Sequence, residues 1–94
     1  MRLVWTEPAK RDLALARAWI AQDRPSAAAS QVQRIVSTVA GLRDFPSIGR
    51  PGRRAGAREL VVPGSPFIVA HKVRDDEIEI LRVFHGARRW PNSL

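Results

Sequence analysis

Arg82, His85 and Arg88 stand close together near the end of the chain, and Arg89 and Trp90 follow directly. A histidine beside arginines is the minimum equipment for metal-free cleavage of RNA. The imidazole moves protons, and the guanidinium groups stabilise the charged phosphorane. The same His85 has a plainer use, capping the end of a strand through hydrogen bonds. Arg88, Arg89 and Trp90 suit phosphates with a base stacked on the indole. They also suit an acidic protein, and the preferred reading is Trp90 folded back as an anchor on the core with the two arginines exposed. His71 lies among Phe67, Val69 and Val73 and reads as a half-buried, hydrogen-bonded histidine.

Other chemistries lack their residues. There is no cysteine, so disulfides and thiolate metal sites are excluded. Two histidines do not make a histidine-based metal centre, and neither a metal nor a cofactor is expected. Gly49 and Gly52 precede a strand and lack the lysine and hydroxyl of a phosphate-binding loop. No serine has a plausible triad around it.

The elements that position these groups follow from periodicity. The stretch from Glu77 to Trp90 begins as a strand, and its apolar run stops at His85. In a regular strand Ile78, Ile80, Arg82 and Phe84 share one face, while Glu79, Leu81, Val83 and His85 share the other. Arg82 and His85 then act together only if the strand bends or ends between them, and Gly86 is a natural place to end. Arg58–Val62 and Phe67–Arg74 are two further strands, linked by Pro63-Gly64-Ser65-Pro66, and Asp75-Asp76 turns into the last. Such short links predict an antiparallel meander. In the Phe67–Arg74 strand both faces begin apolar, which predicts full cover on one side and partial cover on the other.

Upstream, Arg2–Trp5 reads as a short strand, and Thr6 as the cap of a helix from about Pro8 to Gln22. Ala9, Leu13, Ala16 and Ile20 make its apolar stripe, widened by Trp19. Pro25 breaks the pattern, and a second helix runs from about Ser26 to Leu42 along Ala28, Val32, Ile35, Val39 and Leu42. The short link predicts an antiparallel hairpin. The order is β-α-α-β-β-β, an α+β fold with a helical hairpin on a small antiparallel sheet. Between the helices and the meander, Phe45–Gly52 is rich in glycine and proline, and Arg53 and Arg54 extend it. It reads either as an exposed turn or as a mobile basic flap.

Ninety-four residues suffice for one domain with one modest core, residues 1–94. No apolar run is long enough to span a bilayer, and early charges at Glu7, Lys10, Arg11 and Asp12 interrupt any leader-like segment. The cytoplasm is the expected location. The net charge is +7, and arginine supplies fourteen of the sixteen basic residues. That balance points to an anionic partner, nucleic acid or an acidic protein segment. Arg53, Arg54, Arg58, Arg88, Arg89 and Trp90 are the candidate partner-binding residues.

Three segments resemble the RelE/ParE superfamily of toxins from bacterial type II toxin–antitoxin modules. They are WTEPAKRDL at 5–13, FPSIGRPGRR at 45–54 and RELVVPGSPFIVAHKVRDDEIEILRVFHGARRWP at 58–91. The resemblance implies the same topology and an antitoxin that wraps and neutralises the toxin, typically through an acidic segment. It also implies one of two activities. RelE-like members cut mRNA on the ribosome without a metal, using basic residues on two strands and near the C-terminus, often with a tyrosine or histidine. ParE-like members poison DNA gyrase and lack that set. Here Ile68 stands where the ribonuclease arginine usually falls, Glu59 and Val61 stand near the lysine positions, and there is no tyrosine. Arg88 aligns with a C-terminal catalytic arginine, and His85 could stand in as proton carrier. One donor to a developing oxyanion is typically worth about 3 kcal/mol, so a depleted set costs much of the catalysis. The expectation is a ParE-like, non-enzymatic growth inhibitor acting on gyrase. The alternatives are a RelE-like endoribonuclease using His85, Arg82 and Arg88 on the ribosome, and an inactive toxin-like binding domain.

Overall fold

The computed structural model describes residues 1–86. The order is β1 (Arg2–Trp5), α1 (Glu7–Asp23), α2 (Pro25–Ala40), a 3-10 turn at Gly41–Arg43, β2 (Arg50–Pro51), β3 (Arg58–Val61), β4 (Phe67–Arg74) and β5 (Glu77–His85). The expected α+β architecture is present, with one strand added. β2 lies inside the segment read as a loop.

Thr6 starts α1 as expected. Its backbone is extended and its Oγ1 accepts from the Ala9 N–H at 3.3 Å. The same hydroxyl donates to the Ile80 carbonyl at 2.7 Å, which ties the helix start to β5. Arg24 alone separates the helices, and Pro25 opens α2 with the fixed φ of a first helical turn. The two apolar stripes meet the sheet as Ala9, Ala16 and Ile20 from α1 and Ala28, Ile35 and Val39 from α2. Small residues on α1 let the sheet approach closely. Ile35 is completely buried, and burial of such a side chain stabilises by about 2 kcal/mol.

The strand order is β1-β5-β4-β3-β2. β3, β4 and β5 form the expected antiparallel meander, and β2 extends it. β1 joins β5 in parallel, from Arg2 opposite Glu77 to Trp5 opposite Ile80, so the sheet is mixed. The helical hairpin is the crossover that parallel pairing requires. Asp75, at φ 56, supplies the left-handed residue of the tight β4–β5 turn.

A β-bulge corrects the expected alternation of β5. Ala70 pairs with Arg82 but His71 pairs with Ile80, so Leu81 has no residue opposite it. Ile78 and Ile80 face the helices before the bulge, and Val83 takes that face after it. Phe84 turns to the other side, where it is buried with Ile68 and Ala70 beside Leu81. The sheet is thus covered by helices on one face and carries a smaller apolar cluster on the other.

Candidate functional site

Asp12 projects from α1 towards the bulged part of β5. Its carboxylate accepts from Arg82 Nε at 2.7 Å, from Arg82 Nη2 at 3.0 Å and from the Val83 N–H at 2.9 Å. β1 ends at Trp5, before this part of β5, so Asp12 takes over an N–H on the side that β1 leaves uncovered. Both side chains are largely buried. The hydrogen bonds that Arg82 donates to Asp12 push its guanidinium even further above its ordinary range, against a smaller opposing effect of burial. Arg82 is therefore committed to the fold.

Next to this pair lies a three-ring cluster. Trp19 meets Phe67 with ring centroids 6.2 Å apart and His85 with centroids 5.2 Å apart, and Phe67 meets His85 at 5.8 Å. All three contacts are edge-to-face, the geometry that ring quadrupoles prefer. Trp19 remains 41% exposed although its neighbour Phe67 is buried. A groove of about 440 Å³ runs here, lined among others by Asp12, Leu15, Trp19, Arg82 and His85. A second concavity of about 340 Å³ shares Trp19 and Phe67 and continues past Ile20 and Ala27. Trp19 stands between the two. The groove's walls are mostly apolar, with Gln22, His85 and the Asp12–Arg82 ion pair as its polar groups.

Arg82 and His85 thus line one groove, although a regular strand separates them. The bulge lies before both residues and leaves them on opposite faces, Arg82 opposite Ala70 and His85 opposite Phe67; both border the groove because it runs along the edge of β5 that β1 leaves uncovered. Among the described residues Arg82 is the arginine that lines the groove, and its guanidinium is held by Asp12. Arg88, Arg89 and Trp90 lie outside the described residues.

The opposite end of the sheet is built differently. Glu59 is only 3% exposed, and it accepts from Arg50 Nη2 at 3.3 Å and the Arg53 N–H at 3.3 Å. His71, read above as half-buried, is fully buried, and its Nε2 lies 3.2 Å from the Ile48 carbonyl. That bond places the proton on Nε2. Nδ1 is then a bare nitrogen with no partner among the described residues. Burial holds the His71 pKa below 6.5, the Ile48 bond opposes this, and the charge of Arg58 adds to the lowering. Arg58 donates to the Gly49 carbonyl at 3.1 Å, and Gly52 N–H to Ala57 O at 2.7 Å. Gly49 sits at φ 106, where a Cβ would fall 2.7 Å from the Glu59 carbonyl oxygen. The segment read as an exposed turn or mobile flap is a pinned loop with exposed arginines. Arg53 and Arg54 sit on it, and Arg58 begins β3.

Asp12 and Trp19 are the site residues that sequence reasoning missed. A faint signal existed: Leu15 and Trp19 are apolar and four apart, beside the main stripe of α1, and so form a second, narrower apolar strip. Asp12 gave none, since its partner lies seventy residues away.

Comparison with known proteins bears on this geometry. Residues 3–90 match the family model described as the ParE toxin of the type II toxin–antitoxin system parDE. Y4kP of Sinorhizobium fredii is 42% identical over 99% of this chain and 96% of its own length. Toxin RelE2 of Caulobacter vibrioides is 36% identical over 93% of this chain and 97% of its own. Among solved structures, the chromosomal ParDE TA system from P. aeruginosa matches with a TM-score of 0.84 and 33% identity, over 90% of this chain and 95% of that one. YafQ from E. coli matches with a TM-score of 0.63 at 18% identity, over 93% of this chain and 96% of that one, which is a likeness of fold. With its helical hairpin, mixed sheet and near-complete match, the chain belongs to the ParE toxin family of type II toxin–antitoxin systems.

Proposed function

We propose that this toxin is a non-enzymatic growth inhibitor that acts on DNA gyrase and is held inactive by a cognate antitoxin. The carrying observation is what occupies the positions where a ribonuclease of the superfamily would place its cations. Ile68 is buried in an apolar cluster, and Glu59 is a buried carboxylate that accepts hydrogen bonds. Val61 is an exposed apolar residue. Arg82 is consumed by Asp12. A negative charge at Glu59 opposes the developing charge of a phosphorane instead of stabilising it.

The antitoxin reading draws on the family and on the ParDE relative, which is described as a toxin–antitoxin system. The groove around Trp19 suits an apolar side chain of such a partner, since it is concave, partly exposed and already walled by aromatic rings.

A RelE-like endoribonuclease is the second reading. It is favoured by the placement of His85 beside Arg82 in one groove. Purified toxin assayed for gyrase supercoiling and for mRNA cleavage on programmed ribosomes separates the two. Gyrase inhibition without cleavage is the expected result. Cleavage that disappears in His85→Ala and Arg88→Ala would overturn the first reading in favour of the second. A folded protein silent in both assays would leave a toxin-like binding domain.

A further inference from the structure

From Gly41 to Glu59 the chain carries five arginines, Arg43, Arg50, Arg53, Arg54 and Arg58, against two acids, Asp44 and the Glu59 that pairs with Arg50, an excess of three positive charges. The segment also exposes apolar side chains: Phe45 is 67% and Ile48 46% exposed. Neither is needed to close the core, which Leu42 completes just before them. A loop with such residues would ordinarily be loose. This one is anchored by Glu59, by the His71–Ile48 bond and by β2 pairing with β3. Gly56 lies against Lys72 of β4, which brings a further cation to the same side.

Exposed aromatic and aliphatic groups set among arginines have the composition of a protein-binding hot spot. A nucleic-acid backbone would use the arginines and leave Ile48 without a role. An acidic protein surface with an apolar recess uses both. The position matters too. β4 runs from Phe67, at the Trp19 groove, to His71 and Lys72, at the loop. In the strand order the groove borders β5 and the loop carries β2, with β4 and β3 between them, so the two surfaces lie on different sides of the sheet.

We propose that this rim, Arg43, Phe45, Ile48, Arg50, Arg53 and Arg54, docks an acidic surface of the protein that the toxin inhibits, separately from the antitoxin groove. The assignment rests on the toxin reading above. Rigid presentation lowers the ordering cost of binding, and the arginine excess makes association salt-dependent.

The test uses the full chain with two variants, Arg43→Glu/Arg54→Glu and Phe45→Ser, each checked for an unchanged urea midpoint. Growth arrest without antitoxin, affinity for the cognate antitoxin, and binding to purified DNA gyrase and to a short DNA duplex are measured at low and moderate salt. Both variants should lose arrest and gyrase binding by about tenfold or more, while antitoxin affinity stays within about twofold. Arrest and gyrase binding at wild-type levels in both variants overturn the docking assignment alone. A parallel fall in antitoxin affinity assigns the rim to the antitoxin and also overturns it. Loss of duplex binding that tracks loss of arrest replaces the acidic protein with nucleic acid. A wild type that arrests growth without binding gyrase, through an intact rim, sinks the gyrase reading and keeps the rim. A wild type that does neither sinks the toxin reading and the docking assignment together.

Discussion

At one end of the sheet Asp12 takes three hydrogen bonds, two from Arg82 and one from the Val83 N–H. At the other end Glu59 takes two, from Arg50 and the Arg53 N–H. Each carboxylate joins an arginine and a backbone donor, but the arginines differ. Arg82 is buried with its partner, whereas Arg50 is 61% exposed above a Glu59 that is 3% exposed. The first pair cancels a charge and leaves an apolar groove. The second spends its carboxylate on holding a loop and leaves the surface cationic. A buried carboxylate therefore does not by itself say whether the surface above it will be neutral or charged. The exposure of its arginine decides.

The largest effect is expected at Asp12. Asp12→Ala leaves Arg82 without its partner and the Val83 N–H without an acceptor, which should cost about 3–5 kcal/mol in urea unfolding. Replacing the pair together by Asp12→Leu and Arg82→Met should cost much less, because no buried charge is stranded. Equal losses in the two variants would mean that packing, not charge, makes this end.

Trp19 probes what the neutral groove is for. Trp19→Ala should weaken the antitoxin complex by roughly 2 kcal/mol in a direct titration. It should change the stability of the toxin less, because the indole is already partly in water. Unchanged affinity would remove the groove from the antitoxin interface.

Glu59 tests the other end. Glu59→Ala should destabilise by about 2 kcal/mol and speed amide exchange across residues 48–57. Arg50→Ala should cost at most about 1 kcal/mol, as expected for an exposed partner. If the two variants behave alike, the contrast drawn between buried carboxylate and exposed arginine fails.

The smallest effect concerns His71. Its folded pKa lies below the unfolded value of 6.5, so the unfolded chain binds more protons between the two. The stability that neutral His71 provides is complete above pH 6.5 and is lost as pH falls through the folded pKa. Urea midpoints measured from neutral to mildly acid pH should decline, and His71→Gln should flatten that part of the profile. A profile equally steep in His71→Gln would place the titration elsewhere.

The elements were legible in the sequence wherever a local rule sets them. Thr6 and Pro25 mark helix starts, period-3.6 stripes mark the helices, and Asp75-Asp76 marks a two-residue turn. β3, β4 and β5 were readable from β-favouring runs between turn residues. β2 was not, because two residues bearing a proline carry no periodicity. The family, too, was legible, through segments spread over most of the chain.

What the sequence alone determined, then, is the composition of each face, the order of elements and the excess of arginine. Which arginine is available was decided only by tertiary structure. The bulge at Leu81 reverses the facing of β5 from Arg82 onward, and a bulge leaves almost no mark on local sequence. Asp12 then removes Arg82 from chemistry across seventy residues. Glu59, nine residues from Arg50, turns an apparent flap into a fixed cationic rim. Local propensity acts over a few residues, whereas the pairing of buried charges is settled by where the packed chain leaves water out.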